Sequence, residues 1–319
     1  MLDFDRHTLP RADRADFLID LQRAVAAGDT APDVAQDLRR FHEQGYLHVP
    51  GAIEVDLLDR LCADYHQAWR VRPPLKALIE GHGVVSLADA PERAGLEHHH
   101  YRLMDFQDWS ETAREVMLHP AVVGRLAEIF GETPVAMQSL LFEYGSEQGM
   151  HQDFPYVQAG KLSHLVGVWV ALEDVDDSNG PLFYYPGSHR RPKFDFGGGS
   201  LVYDGTDESQ IADFESFLER ETCSGLDKLT LHAKKGDVLF WHAALVHGGS
   251  PATDRARTRL SFVCHYSSAS AYPRDRRAPH VEPVRLERNG GILYEPPAQA
   301  TARAGLWPRI EARLKRLLG

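Results

Sequence analysis

Cysteine is scarce in this chain of 319 residues: Cys62, Cys223 and Cys264 stand far apart, and no CxxC pair occurs. That excludes a disulfide scaffold and a cysteine-rich zinc module. Long apolar runs are missing as well, since no stretch approaches the roughly 20 residues a membrane-spanning helix needs. The opening MLDFDRHTLPRADRADFLID lacks the hydrophobic region of a secretory signal, so a soluble, cytoplasmic protein is expected. Positive charge is also short. With 35 basic and 46 acidic side chains the formal charge is −11, a balance that repels nucleic-acid phosphates and anionic membranes. Neither partner is expected. Neither GxGxxG nor GxxxxGK[ST] is present, so nucleotide-binding α/β folds lose support.

What the chain does contain is histidine, at 17 copies, and a change of texture part-way along. Residues 11–70 are mostly helical in pattern, as in DFLIDLQRAVAAG and VDLLDRLCADYHQAWR, where apolar residues recur three and four apart. Between these helices GYLHVPGAI reads as a short strand. SETAREVMLHPAVVGRLAEIFG predicts one further helix over 110–130, capped by Ser110 and stopped by Gly131. Strands follow: VAMQSLLFEY, HLVGVWVAL, GPLFYYPG, KLTLHA, DVLFWHAALVHG and TRLSFVCHYSS. Short strands rich in β-branched and aromatic residues at close spacing predict a sandwich or barrel. An insertion over 190–228 interrupts them. From Asp195 to Asp227 it carries nine acidic residues against one basic, Arg220, and reads either as a solvated loop with one helix or as a lid. The C-terminal PRIEARLKRLLG predicts an amphipathic helix packed on the body.

The chemistry concentrates around His151-Gln152-Asp153, just after the strand QSLLFEY. Residues two apart on extended backbone share a side, so His151 and Asp153 can converge on one ion. His247 ends another apolar strand. Two imidazoles and one carboxylate on one face make the triad that holds non-haem Fe(II) and leaves positions open. Arg259, twelve residues on, shares a strand face with Ser261; a fixed guanidinium fork beside a metal suits bidentate binding of a dicarboxylate co-substrate.

These segments resemble the phytanoyl-CoA dioxygenase (PhyH) family of Fe(II)/2-oxoglutarate-dependent oxygenases. FHEQGYLHVPGAI is similar to its entry segment, FEYGSEQGMHQDFPYV to its first metal-binding segment, and VWVALEDVDDSNGPLFYYPGSHR to its tryptophan strand with the turn and PGSH element that follow. GDVLFWHAALVHGGSP and RTRLSFVCHY resemble its distal-histidine and arginine strands. The resemblance implies a mainly β, double-stranded β-helix (jelly-roll, cupin-like) core with flanking helices. The resemblance runs from about Phe41 to Ser267, and 1–319 is expected to be a single domain: a helical part over 1–130, a core over about 131–275 with the insertion over 190–228, and a tail and helix over 276–319. It implies Fe(II) on His151, Asp153 and His247, with 2-oxoglutarate and O2 as co-substrates. Arg259, supported by Ser261, would hold the distal carboxylate; ARTRL also offers Arg257, but alignment with the family's strand selects Arg259. On the QSLLFEY strand, Tyr144 would touch 2-oxoglutarate and Gln138 the substrate, their alternative being ordinary strand packing. Trp169 reads as core or substrate wall. His98, His99 and His100 read as an exposed loop, with His100, Tyr101 or Arg102 reaching the substrate as the alternative. His189 and His242 are expected to be structural, and Cys264 and His265 to pack in the core. The expected reaction hydroxylates a small polar metabolite of a biosynthetic pathway, releasing succinate and CO2. Desaturation, cyclisation, epimerisation and a catalytically silent metal-binding module are the alternatives.

Overall fold

A computed structural model describes residues 2–93, 96, 101–207, 209–277, 279, 280, 282 and 284–295. The His98–His100 run and the expected C-terminal helix lie outside the described residues. The chain opens with α1 (Phe17–Ala27), α2 (Pro32–Gln44), β1 (Tyr46–Val49) and α3 (Val55–Val71). Strands β2 (Lys76–Ile79), β3 (Gly83–Ser86) and β4 (Tyr101–Met104) lead to α4 (Glu111–Met117) and α5 (Pro120–Phe130). Then come β5 (Pro134–Phe142), β6 (Leu165–Ala171), β7 (Leu182–Tyr184), α6 (Ser209–Phe217), β8 (Leu229–Thr230) and β9 (Val238–His242). Last are β10 (His247–Gly249), β11 (Ser261–Ser268), β12 (Val284–Arg288) and β13 (Gly291–Glu295).

Apolar spacing explains the helices. In α3, Leu57, Leu58, Leu61, Tyr65, Ala68 and Trp69 fall on one side and are buried. The single helix expected over 110–130 is two. Ser110 caps α4 by accepting from the Ala113 N–H at 3.0 Å, but Pro120 opens a new helix. Proline lacks the N–H that continuation of α4 would require and fits a first helical turn, and His119 caps that turn by accepting from the Ala121 N–H. Gly131 ends α5 in the left-handed conformation.

Among the described residues the strands form a ten-stranded sheet with the path β1-β9-β6-β11-β5-β4-β2-β3, joined by β13 and β12, and a three-stranded sheet, β10-β7-β8. This is a jelly-roll. Side-chain alternation gives the large sheet two faces. Val166, Val168, Val170, Phe262, Cys264 and Tyr266 belong to the core shared with α1–α5. The intervening Trp169, Ala171 and Val263 turn inward, toward the second sheet. The segment DVLFWHAALVHG, expected as one strand, splits: it leaves the large sheet at His242 and enters the small one at His247. A Leu245 N–H to His242 carbonyl bond of 2.8 Å closes the turn between them.

His189 and His242 tie the amino-terminal segment down. His242 Nε2 lies 2.9 Å from the Asp13 carboxylate, while its Nδ1 accepts from the Ala244 N–H at 3.0 Å. His189 bonds the His42 carbonyl at 3.2 Å. It sits so close to Gly45, whose φ is +79°, that a Cβ there would be 2.5 Å from its Nδ1. Within the insertion, acidity hides an apolar centre. Phe196, Tyr203, Phe214 and Leu218 are buried together, with Phe194 and Phe217 packed on them.

Phe262, fully buried between the sheet and the helices, sets the scale of the core. Phe262→Ala should lower unfolding stability by about 3–5 kcal/mol, whereas Val284→Ala, at a 60% exposed position, should stay within about 0.5 kcal/mol. Urea unfolding monitored by circular dichroism reads both.

Candidate metal centre

His151, beyond the end of β5, pairs with His247 at the start of β10. The His151 N–H donates to the His247 carbonyl at 3.0 Å, and the His247 N–H donates back to His151 at 3.1 Å. This reciprocal bridge brings the imidazole centroids to 4.3 Å. Each ring is fixed by a backbone carbonyl: His151 Nδ1 lies 2.9 Å from Gly149 O and His247 Nδ1 3.0 Å from Leu245 O. A carbonyl only accepts, so Nδ1 carries the proton and Nε2 presents a lone pair. Both Nε2 atoms lie 3.7 Å from Asp153 Oδ1. The other carboxylate oxygen, Oδ2, accepts from Trp241 Nε1 at 2.6 Å and faces His265 Nε2 at 3.4 Å. His265 is set in turn by Gln138, whose amide nitrogen is 3.1 Å from Nδ1. Burial alone would push the Asp153 carboxyl up, but His247, His265 and His151 outweigh it and hold the group well below the usual carboxylate range. Burial, with His247 close by, drives His151 down to about 3, so its imidazole is neutral.

These three residues can hold a metal ion. Two imidazoles and one carboxylate, with the rest of the ion's surroundings facing a cavity, suit Fe(II). The cavity has a volume of about 90 Å³. Its wall includes Arg259, which is only 1% exposed and stands with its guanidinium 6.0 Å from the Trp169 ring. Arg259 Nε and Nη1 and the neighbouring Ser261 Oγ are buried with no hydrogen-bond partner. Such a set is unsatisfied until an acceptor arrives, and a carboxylate would satisfy it. Burial pushes Arg259 down to about 10, which leaves it charged at neutral pH. Arg257 points elsewhere: it is partly exposed and bonds the Asp176 carboxylate at 2.8 and 2.9 Å.

Gln138, Trp169 and Arg102 line the same cavity. Tyr144 does not. Strand β5 ends at Phe142, the alternation stops with it, and Tyr144 packs toward the helical core, its ring 6.4 Å from that of Tyr101. His265, expected in the core, is instead in the cavity wall beside Asp153. Even spacing from Arg259 through Ser261 and Val263 was the available signal for it. Trp241 had none. Its role depends on the pairing of β9 with β6, where Gly167 lies opposite, and a Cβ at Gly167 would be 2.2 Å from the indole.

A family model described as Phytanoyl-CoA dioxygenase (PhyH) matches residues 41–259. The chain belongs to the PhyH family. Rat peroxisomal phytanoyl-CoA dioxygenase is 27% identical over 250 residues, covering 72% of this chain and 68% of that protein. Among solved structures, the epimerase SnoN in complex with Fe3+, alpha ketoglutarate and nogalamycin RO shares the fold, with a TM-score of 0.57, 21% identity, and coverage of 82% of this chain and 98% of that one. EctD from S. alaskensis with 2-oxoglutarate and 5-hydroxyectoine gives a TM-score of 0.52 at 17% identity, covering 86% and 84%. This PhyH-family protein is an Fe(II)/2-oxoglutarate-dependent oxygenase. Its iron and 2-oxoglutarate fit the donor set and the unsatisfied guanidinium described above.

Gly167→Ala should displace Trp241 and free one oxygen of Asp153. Losses of groups that orient a metal ligand weaken binding about 10- to 100-fold. Calorimetric titration of the protein with Fe(II) without oxygen measures this, and an unchanged affinity would remove Trp241 from the role assigned to it.

Proposed function

We propose that the chain hydroxylates a small-molecule metabolite, with Fe(II) held by His151, Asp153 and His247 and 2-oxoglutarate anchored at Arg259 and Ser261. The observation that carries this reading is the pairing of two features in one cavity. Two free Nε2 lone pairs flank one carboxylate oxygen, and beside them stand a buried guanidinium and a hydroxyl without partners. Iron, once bound, supplies the oxidative chemistry, with 2-oxoglutarate and O2 consumed and succinate and CO2 released. The chain's own residues do the positioning. Asp153 supplies charge and keeps a fixed orientation because Trp241 and His265 occupy its second oxygen. Arg259 fixes the far carboxylate of 2-oxoglutarate by a charge-assisted contact. Leu140, Phe142, Val263 and Trp169 line the cavity and limit the water within it.

Substrate contacts are assigned to Gln138, Trp169 and Arg102. Tyr156 also lines the cavity, and its ring is held at 5.9 Å from Tyr203 and 6.3 Å from Phe214 of the insertion. The insertion therefore acts on the site through Tyr156, as a packed wall. Epimerisation, desaturation or ring formation is the second reading, since each begins with removal of a substrate hydrogen. The fold shared with the epimerase SnoN favours keeping it. Analysis of the oxidised product separates these outcomes.

Substrate-dependent succinate release under Fe(II), screened with metabolite extracts, tests the reading; none in any extract would return the chain to a metal-binding module. His151→Ala should abolish turnover. Arg259→Ala should raise the 2-oxoglutarate Kd about 30-fold or more, because losing a desolvated charge pair costs at least about 2 kcal/mol, while Arg257→Ala leaves it near the parent value. Phe214→Ala should loosen Tyr156 and release succinate in excess over oxidised product, and a ratio equal to the parent's would take the insertion out of the site.

A further inference from the structure

The last stretch of the sequence is charged against the trend of the chain. Residues 296–319 lie outside the described residues; they carry Arg303, Arg309, Arg313, Lys315 and Arg316 against one acid, Glu311, in a protein whose formal charge is −11. Arg309, Arg313 and Arg316 recur four and three apart, as do Ile310, Leu314 and Leu317. On a helix that spacing lays a basic stripe beside an apolar one. Such a segment calls for a partner that is acidic and apolar at once.

The insertion offers that surface. Its helix α6 runs on through a π turn over Leu218–Thr222, and Asp213, Glu215, Glu219 and Glu221 along it are all exposed. Exposed acids such as Asp59, Asp174 and Asp176 meet Lys235, Lys234 and Arg257. Among the described residues no basic side chain pairs with any of the four on this helix. Arg220, in their midst, turns back to the Ser216 carbonyl at 3.3 Å. Glu219 and Glu221 also stand at the carboxyl end of the helical run, where the dipole is negative and acids are unfavourable. Cations laid across this end relieve the dipole and the mutual repulsion together. Beside the acids, Ile211, Phe217 and Phe194 are only partly buried.

We infer that residues 296–319 are the partner of this helix, the segment packing along α6 with its basic side chains on the acids and its leucines on Ile211, Phe217 and Phe194. The described chain ends close to the insertion. Tyr294, near the end of β13, is buried in a cluster on which Leu201 of the insertion and Val157 also pack. Residues 296–308, a stretch of 13, separate that point from Arg309, enough to span about 40 Å when extended. A tethered segment meets its surface at an effective concentration of about millimolar, so modest ion pairs suffice. The rest of the chain is more acidic still, and it repels an anionic membrane, the other common partner of a basic amphipathic segment. Docked on α6, the segment backs one wall of the cavity. Glu215 Oε1 lies 3.5 Å from where a Cβ on Gly149 would stand, Gly149 O fixes His151, and Phe214 holds Tyr156.

Hydrogen exchange on the full chain tests this, with a carbodiimide cross-link as a second measurement; neither requires iron or 2-oxoglutarate. At low salt, peptides from 309–318 should exchange about fivefold more slowly in the parent than in a variant with Arg313→Glu and Arg316→Glu, the size expected for two exposed ion pairs. Salt at about 1 M, which shortens the screening length to about 3 Å, should remove most of that difference. Glu215→Arg with Glu219→Arg should expose the same peptides, and all four changes together should restore their protection. The readout is the tail, because Glu219→Arg steadies the helix end by itself. Carbodiimide should join Lys315 to an acid of 213–221 within one chain. No recovery of protection in the fourfold variant overturns the inference. So do cross-links joining isotopically distinct chains, which would give the helix to a second copy. Protection of 309–318 that arises only on vesicles of phosphatidylglycerol and phosphatidylcholine overturns it as well, and would make the segment a membrane contact.

Discussion

A carboxylate inside a protein is expensive unless each oxygen finds a partner and its charge is offset. Asp153 meets both conditions in full only with a metal ion at its first oxygen, and much of the architecture around it serves that arrangement. One oxygen faces two imidazole lone pairs and the other is taken by an indole and a third imidazole. Each partner has its own support: Gln138 sets His265, Gly167 leaves room for Trp241, and backbone carbonyls set His151 and His247. Strands β5, β6, β9, β10 and β11 each supply part of the arrangement. The site is therefore a property of the roll as a whole, and of the register of its strands in particular.

The break between β9 and β10 explains why the roll, rather than a flat sheet, builds this centre. Were DVLFWHAALVHG continuous, His247 would lie in the large sheet. By crossing to the small sheet it comes to face His151, and the pair of backbone bonds between them sets the separation of the rings. Inward-facing alternate residues of the large sheet then supply a wall that includes the apolar Leu140 and Phe142 and the cationic Arg102 and Arg259.

Much of this was legible in the sequence because local rules govern it. Period-two alternation places His151 with Asp153 and Arg259 with Ser261, and strand texture announces the β core. Arg257 and Arg259 share a strand face by spacing, and alignment with the family's strand chose between them. What was not legible depends on contacts across the fold. Trp241 matters because of the residue opposite it on another strand, which no local pattern encodes. Tyr144 lies outside the cavity lining because the alternation of β5 ends two residues earlier, at Phe142. His119 and Pro120 divide a helix whose apolar periodicity runs on unbroken. In the insertion, nine acidic residues drew attention away from the phenylalanines that give it a core.

The bond between Asp13 and His242 joins residues 229 apart in sequence, and it sits next to Trp241, the indole that steadies Asp153. Closing so long a loop adds little to the equilibrium cost, since each doubling of length adds only about 0.6 kcal/mol. Its effect falls on time. Contacts of large sequence separation slow the search for the native state, and here the amino-terminal segment closes over a strand from the far side of the chain. The centre draws on segments from Asp13 to His265, so iron meets a full binding site only where these distant parts of the chain have come together.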